Sequence, residues 1–231
     1  DSLADASKLN DELNMAQEKE QRLLGYLDKD KTINPSLFIQ IPDLLSNKEV
    51  HRLNDFINKQ EWTPVGLDGI KENFKEGSKI GSYRLSIYHE EMAETLWKRL
   101  DTIKEKLTDS GWIPVGINPL FRVIVYKEGG ELIPHYDAPY VKDENTMTRR
   151  SMVIYLTDND EGATDFLKDD QDGTLNKDYS DRPDYKGKLI TRFIPVSGAS
   201  LIFNHRVLHS VKPLKTESKI IVRTDILYKR R

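Results

Sequence analysis

The chain has 231 residues, 32% of them charged and 37% hydrophobic, and a formal net charge of −3. This length suits one domain with a full core, and the near-balance of charge excludes a general attraction to nucleic acid or anionic lipid. The absence of cysteine removes disulfides, thiolate nucleophiles, zinc ribbons and iron–sulfur ligation together, and no run approaches the ~20 apolar residues of a membrane span.

In chain order, residues 3–27 read as a helix with Leu9, Leu13, Leu23, Leu24 and Leu27 among charges. Its apolar stripe is thin, as on a peripheral or partner-facing helix. "SLFIQIP" (36–42) reads as a short strand. Ser46 followed by Glu49 forms a capping box for a helix over 47–59 that presents Val50, Leu53, Phe56 and Ile57. The Gly- and Lys-rich segment 63–80 reads as a mobile loop. "SYRLSIY" (82–88) alternates as a strand, and 90–108 reads as a helix carrying Met92, Leu96, Leu100, Ile103 and Leu107.

From about residue 119 the periodicity changes. "LFRVIVYK", "SMVIYLTD", "GATDFL", "LITRFIP", "ASLIFN" and "KIIVRTDILY" are short β-branched or aromatic runs separated by Gly, Pro and Asp. Helices followed by strands predict an α+β fold whose strands close into two facing sheets. A helical supporting region with a few strands over 1–118 would precede a strand-rich core over 119–231. The insertion 168–188 is polar throughout and reads as a surface loop. No signal-peptide pattern is visible, and the cytoplasm is the default expectation for the compartment.

The strand-rich half holds three of the five histidines, and "ELIPHYDAPY" (131–140) sets His135 and Asp137 one residue apart. Alternate residues of a strand project to the same side, so a His on a neighbouring strand would complete one face of an octahedron. Two imidazoles and one carboxylate leave three positions open, the arrangement of non-haem Fe(II) oxygenases. Taken alone, the tripeptide fits equally a buried, hydrogen-bonded His beside a turn Asp.

The order "YKEGGELIPHYD … RRSMVIYLTDNDEGATDF … PVSGASLIFNHRVLHSVKPL … KIIVRTDILY" resembles the 2-oxoglutarate- and Fe(II)-dependent dioxygenases, in their prolyl 4-hydroxylase-like branch. The likeness spans roughly residues 120–230, with a looser echo in "FIQIPDLLSNKEVHRLNDFI". It implies a double-stranded β-helix, a jelly roll, flanked by N-terminal helices. It also implies Fe(II), 2-oxoglutarate as co-substrate, O2, and ascorbate as a candidate reductant. His135 and Asp137 would be the first two iron ligands. His209 would be the third, because "SVKP" follows it and Lys219 stands ten residues further on. His205, fourteen residues before Lys219, is expected beside the site rather than on the metal. Lys219 would hold the far carboxylate of 2-oxoglutarate, with Tyr155 and Tyr126 beside it. Arg223, on the same strand face as Lys219, is the substitute for it should the register differ, and is expected first in an ion pair with Asp225.

Two departures from the family pattern stand out. Glu161 and Gly162 replace a common Gly-Gly pair. The expected lids, 63–80 and 138–148, match no assigned pattern, and their Lys71, Lys75, Lys79, Tyr140 and Lys142 suggest a peptide clamp that is poorly ordered without substrate. The resemblance implies hydroxylation of an unactivated C–H bond, on a prolyl or other side chain of a peptide or protein. Hydroxylation of a free amino acid or other small metabolite, or a non-catalytic jelly-roll binding module, are the alternatives. Asp137 argues against halogenation, which in this class replaces the carboxylate with chloride. Neither nucleic acid nor a membrane is expected as a partner.

Overall fold

Thirteen strands and three helices make up the described part of the computed structural model, residues 37–69, 74–168 and 187–231. The expected helix at 3–27 and most of the insertion at 168–188 lie outside these residues. Among the described residues no helix is long and apolar enough to cross a membrane.

Helix α1 (Asn47–Ile57) starts at the expected capping box: the Ser46 N–H donates to Glu49 Oε2 at 2.8 Å, and the Glu49 N–H donates to Ser46 Oγ at 3.3 Å. Two of the orphan N–H groups of the first turn are thereby satisfied. The helix buries Val50 and Ile57, with Leu53 and Phe56 packed partly against the same core. The single helix expected over 90–108 is two. Helix α2 (Glu90–Arg99) is capped by His89, whose Nδ1 accepts from the Met92 N–H at 3.0 Å, and α3 (Lys104–Leu107) follows a turn. Asp101 and Thr102 compete for the backbone and lower helix propensity at the break. There the Leu100 N–H bonds to Trp97 O in a tightened turn. Leu96, Leu100 and Leu107 still reach one core across it.

The strands are β1 (Ile39–Ile41), β2 (Thr63–Val65), β3 (Ser82–Tyr88), β4 (Trp112–Ile117), β5 (Leu120–Tyr126), β6 (Leu132–His135), β7 (Val141–Asp143), β8 (Thr146–Tyr155), β9 (Thr164–Leu167), β10 (Leu189–Phe193), β11 (Ser200–Asn204), β12 (His209–Val211) and β13 (Lys219–Arg230). All six runs read from the sequence after residue 119 are strands. Two expected loops are partly ordered instead. The segment 63–80 begins with β2, where Val65 is buried and pairs with Ser82 of β3. The segment 138–148 folds as the β7–β8 turn, with Val141 and Met147 paired and buried. Apolar anchors at these two positions outweigh the polar composition around them.

One sheet runs β1-β11-β8-β13-β5-β3-β2, with β4 also on β13 and β7 on β8; the second runs β10-β9-β12-β6. All pairings are antiparallel, and neither sheet closes. This is the jelly-roll, double-stranded β-helix architecture. The larger sheet includes β1, β2, β3 and β4 from before residue 119.

The large sheet is buried on both faces, which explains why its strands read as continuous apolar runs. Val123, Val125, Met152, Ile154, Ile202, Ile220 and Val222 face the helices, in one core with Val50, Ile57 and Leu100. Their alternate neighbours Ile124, Tyr126, Val153, Tyr155, Leu201, Phe203 and Ile221 face the small sheet, in a second core with Phe166 and Val211. Each such side chain contributes about 1.5–3 kcal/mol when fully buried. The strict period of two therefore fixes register, because a slip of one residue would exchange the two cores.

Candidate active site

His135 ends β6 and His209 begins β12, and the two are direct cross-strand partners on the small sheet. Their rings lie 4.2 Å apart, centroid to centroid. Asp137 follows β6 and is tied back by its N–H, which donates to His205 O at 3.1 Å. One ligand atom from each of His135, Asp137 and His209 lies within 4.8 Å of the others. Each His Nε2 is 3.7 Å from an Asp137 oxygen, too far for a hydrogen bond.

The tautomers follow from the backbone. His135 Nδ1 meets Ile133 O at 2.9 Å and His209 Nδ1 meets Val207 O at 2.8 Å. A carbonyl only accepts, so Nδ1 carries the proton in both rings and each Nε2 offers a lone pair to the shared space. Burial holds both imidazoles neutral, lowering His135 to about 3 and His209 below its usual value. Burial alone would raise Asp137, but Arg223, His209 and His135 outweigh it and hold the carboxyl well below the usual range. Two neutral imidazoles and one carboxylate converging on a common point suit a divalent metal such as Fe(II).

The carboxylate is oriented by residues that the sequence did not mark. Ser151 Oγ, on β8, donates to Asp137 Oδ2 at 2.5 Å. Ser151 has one hydroxyl proton, so the 2.8 Å contact to His205 Nδ1 has the imidazole donating. His205 Nε2 then accepts from Thr148 Oγ1 at 3.0 Å. His205 stands beside the cluster, as the spacing to Lys219 suggested. Arg223 does pair with Asp225, Nη2 to Oδ1 at 3.0 Å, but its Nε also lies 3.3 Å from Asp137 Oδ2.

Lys219 lies on the inner face of the large sheet, opposite Tyr126 of β5, and is fully buried. Its Nζ donates to Gly162 O at 2.6 Å and lies 5.3 and 5.9 Å from the ring centres of Tyr126 and Tyr155. Among the described residues no carboxylate lies within ion-pair reach of it, and burial lowers the amine to about 7. A buried ammonium without an acid is costly, and an anionic ligand would supply a partner. Burial also raises both phenols, Tyr155 to about 12, so both remain hydrogen-bond donors. Gly162 has a steric role: a Cβ there would stand 2.8 Å from Lys219 Cδ and 3.0 Å from Leu214 Cδ2. Of the Glu161–Gly162 pair, the glycine is the position the amine requires.

One cavity of about 260 Å³ is lined by the three donors and by Tyr126, with Lys219 next to Tyr126 and outside the lining. His135, Asp137 and His209 line it on the small-sheet side. Tyr126, Ile124, Ile221, Val153 and Arg223 line it on the large-sheet side.

Residues 121–224 match the model of a family described as the 2OG-Fe(II) oxygenase superfamily. No curated protein sequence matches significantly. A prolyl-4-hydroxylase of Pseudomonas putida is similar in structure with a TM-score of 0.53 and 16% identity, over 90% of this chain and 99% of that one. A prolyl hydroxylase of Trichoplax adhaerens, in complex with a hypoxia inducible factor oxygen degradation domain peptide fragment, gives 0.54 and 16%, over 91% of each chain. The viral collagen prolyl hydroxylase of Paramecium Bursaria Chlorella virus-1, in its 2OG complex, gives 0.50 and 19%, over 82% of this chain and 95% of that one.

Proposed function

We propose that this chain, whose residues 121–224 match the family model of the 2OG-Fe(II) oxygenase superfamily, hydroxylates an unactivated C–H bond on a side chain of a peptide or protein, proline being the first candidate. One observation carries the reading. A convergent His135–Asp137–His209 donor set lines the cavity from the small sheet, and across it Tyr126 lines the large sheet beside its strand partner Lys219, a buried amine with no carboxylate of the described residues in ion-pair reach. When bound, Fe(II) and 2-oxoglutarate together activate O2, one oxygen atom passing to succinate as CO2 leaves and the other into the C–H bond.

The chain's own residues hold and shield that chemistry. His135 and His209 present neutral Nε2 lone pairs, and Asp137 supplies the negative charge. Ser151, with His205 behind it, fixes one oxygen of Asp137. Lys219 holds the distal carboxylate of 2-oxoglutarate, with the Tyr155 and Tyr126 hydroxyls beside it. Ile124, Ile221, Val153 and Phe203 form apolar walls that keep bulk water away and so strengthen each of these contacts.

The cavity volume favours a side chain as the target. At about 260 Å³ it is smaller than the ~300–1,000 Å³ of pockets that enclose a whole drug-sized ligand. Co-substrate and one inserted side chain fill it, and the rest of the substrate remains outside. The test is succinate release with Fe(II), 2-oxoglutarate and ascorbate as reductant, paired with mass spectrometry of candidate proline-containing peptides. Succinate formation that needs His135, Asp137 and His209, with a gain of one oxygen on the peptide, supports the reading. A purified protein that binds neither Fe(II) nor 2-oxoglutarate sinks it in favour of a non-catalytic module.

A further inference from the structure

Among the described residues, four of the five exposed large aliphatic side chains stand together at one edge of the small sheet. They are Leu189, Ile190, Ile194 and Val196, 45–57% exposed, on β10 and the three residues after it. Strand β10 ends the order β10-β9-β12-β6, so no strand of the described residues lies beside its outer edge. Phe193 turns inward onto Phe166, with 5.8 Å between ring centres, and its neighbours Arg192 and Ile194 therefore face outward. A bulge at Ile190 breaks this alternation and leaves Leu189 exposed as well. A contiguous apolar surface on an open sheet edge marks a contact site, because left bare it invites pairing with other chains.

The place where the described chain begins points to the occupant. Phe38 packs against the same strand, its ring centre 5.6 Å from that of Phe193 and 4.7 Å from that of Phe166. Strand β1 then joins β11 of the large sheet, so residues 1–36 enter the fold beside β10. Their sequence reads as a helix over 3–27, and Leu9, Leu13, Leu23 and Leu27 fall on one side of it. From Leu9 to Leu27 such a stripe is about 27 Å long, and Leu189 to Val196 extends about 23 Å at the strand rise. The ten residues from Leu27 to Leu37 span up to about 35 Å, enough for the stripe to fold back over β10. Charge agrees. Lys188 is exposed beside the patch, and Arg192 and Lys212 share the single carboxylate of Asp165. Residues 1–36 carry eight acidic side chains against five basic ones. The connection 169–186 also adjoins β10, but Leu175 is its single leucine, isoleucine, valine or methionine.

We propose that the chain's own N-terminal segment, residues 1–36, folds back and lays its Leu9, Leu13, Leu23 and Leu27 stripe on the exposed aliphatic side chains of β10. It braces from outside the sheet whose β6 and β12 carry His135 and His209. The proposal is independent of the hydroxylase reading, which stands or falls on the cavity.

The chain has no cysteine, so an introduced pair reports without background. The full chain carrying Leu13→Cys and Ile194→Cys, treated in dilute solution with a short bis-maleimide, should crosslink within one molecule, read by intact mass and peptide mapping. The control pairs Leu13→Cys with Val115→Cys, the exposed aliphatic position of β4, and should crosslink far less. A product of twice the chain mass assigns the patch to a second copy and overturns the proposal. Equal yields from the two pairs, or no crosslink at Ile194→Cys, overturn it as well. Hydrogen exchange supplies a second readout on the full chain with Leu9, Leu13, Leu23 and Leu27 each replaced by Ser. Relative to those of α1, the amides of 189–193 should exchange about tenfold faster than in the wild type. An unchanged ratio of β10 to α1 exchange overturns the proposal.

Discussion

Asp109 and Asp137 are equally buried, each 8% exposed, and both meet side chains of β8, yet their surroundings differ. Asp109 receives Arg149 Nε at 3.2 Å on one oxygen and Arg150 Nη2 at 2.7 Å on the other. Arg150 Nε bonds to Tyr228 Oη at 3.0 Å, the phenol donates to Leu107 O at 2.8 Å, and Arg149 stacks 4.9 Å from the Trp112 ring centre. Both oxygens of that carboxylate are taken up by guanidinium groups of the same chain. Asp137 is also anchored, through Ser151, but with His135 and His209 it faces a shared space, and Lys219, beside the cavity-lining Tyr126, has no carboxylate in ion-pair reach among the described residues. Burial of charge does not by itself mark a functional site. What marks it is a set of well-held groups whose remaining valences point at the same cavity.

The sharpest test sets the two carboxylates against each other. Asp109→Ala leaves two buried guanidinium groups without their acid and should cost about 3–5 kcal/mol. For a domain of this size that lowers Tm by roughly 6–20 °C, read by thermal unfolding. Asp137→Ala should abolish metal binding and turnover with a clearly smaller loss, because Arg223 keeps Asp225. Equal destabilisation by the two would remove the distinction. On the same strand, Ser151→Ala should weaken Fe(II) or Mn(II) binding by about 10–100-fold, the usual effect of losing an outer partner of a metal ligand. Near-native Tm is expected, and unaltered metal affinity would show that Ser151 does not orient Asp137.

Lys219 adds a pH dependence whose sign can be worked out. Unfolded, its amine titrates at 10.5, and burial lowers it to about 7 in the fold. Between those values the unfolded state binds the extra proton, so Lys219 contributes stability that rises with pH. The ligand-free protein should therefore gain stability from pH 7 to 9 in a way that Lys219→Met lacks. Since 2-oxoglutarate binding requires the charged amine, its affinity should fall about tenfold per pH unit above 7. A flat affinity over that range would mean the ammonium is not the partner. The smallest effect belongs to the half-exposed pair of Glu49 with Arg99, 2.5 Å from Oε1 to Nη2. The bond to Arg99 chiefly lowers Glu49 from 4.5 to about 2. Its stabilisation is complete above pH 4.5 and is lost as the pH falls through about 2. Solvent screening keeps it under about 1 kcal/mol, so Glu49→Gln should flatten the acid limb of a pH–stability profile only slightly.

The sequence made the donor set legible because His135 and Asp137 stand one residue apart and His209 precedes the Lys219 strand at a recognisable spacing, although Asp137 lies just past the end of β6 and is held by the His205 carbonyl rather than by strand alternation. It also gave the capping box at Ser46, a local pattern that needs no tertiary contact. The residues around the ligands were not legible. Ser151 and Thr148 are ordinary strand residues until β11 brings His205 across β8, and Arg122 looks like any charge between apolar neighbours until β13 sets Arg223 beside it. The break in the helix after Arg99, and β2 and β7 inside expected loops, were hidden for a similar reason. Each depends on which partner a short segment meets rather than on its own composition.

Strand β13 acts as a ruler. It carries Lys219, Ile221, Arg223 and Asp225 on one face in steps of two residues, about 6.6 Å each at the ordinary strand rise, and of these Ile221 and Arg223 line the cavity. Lys219 to Arg223 thus spans about 13 Å, a gauge between the buried amine proposed to seat the co-substrate and the guanidinium beside Asp137. Such a gauge has no fine adjustment. Adding one residue would turn Ile220 or Val222 inward and destroy the site, so a descendant of this chain accepting a longer co-substrate must move by a whole two-residue division or take those groups from another strand.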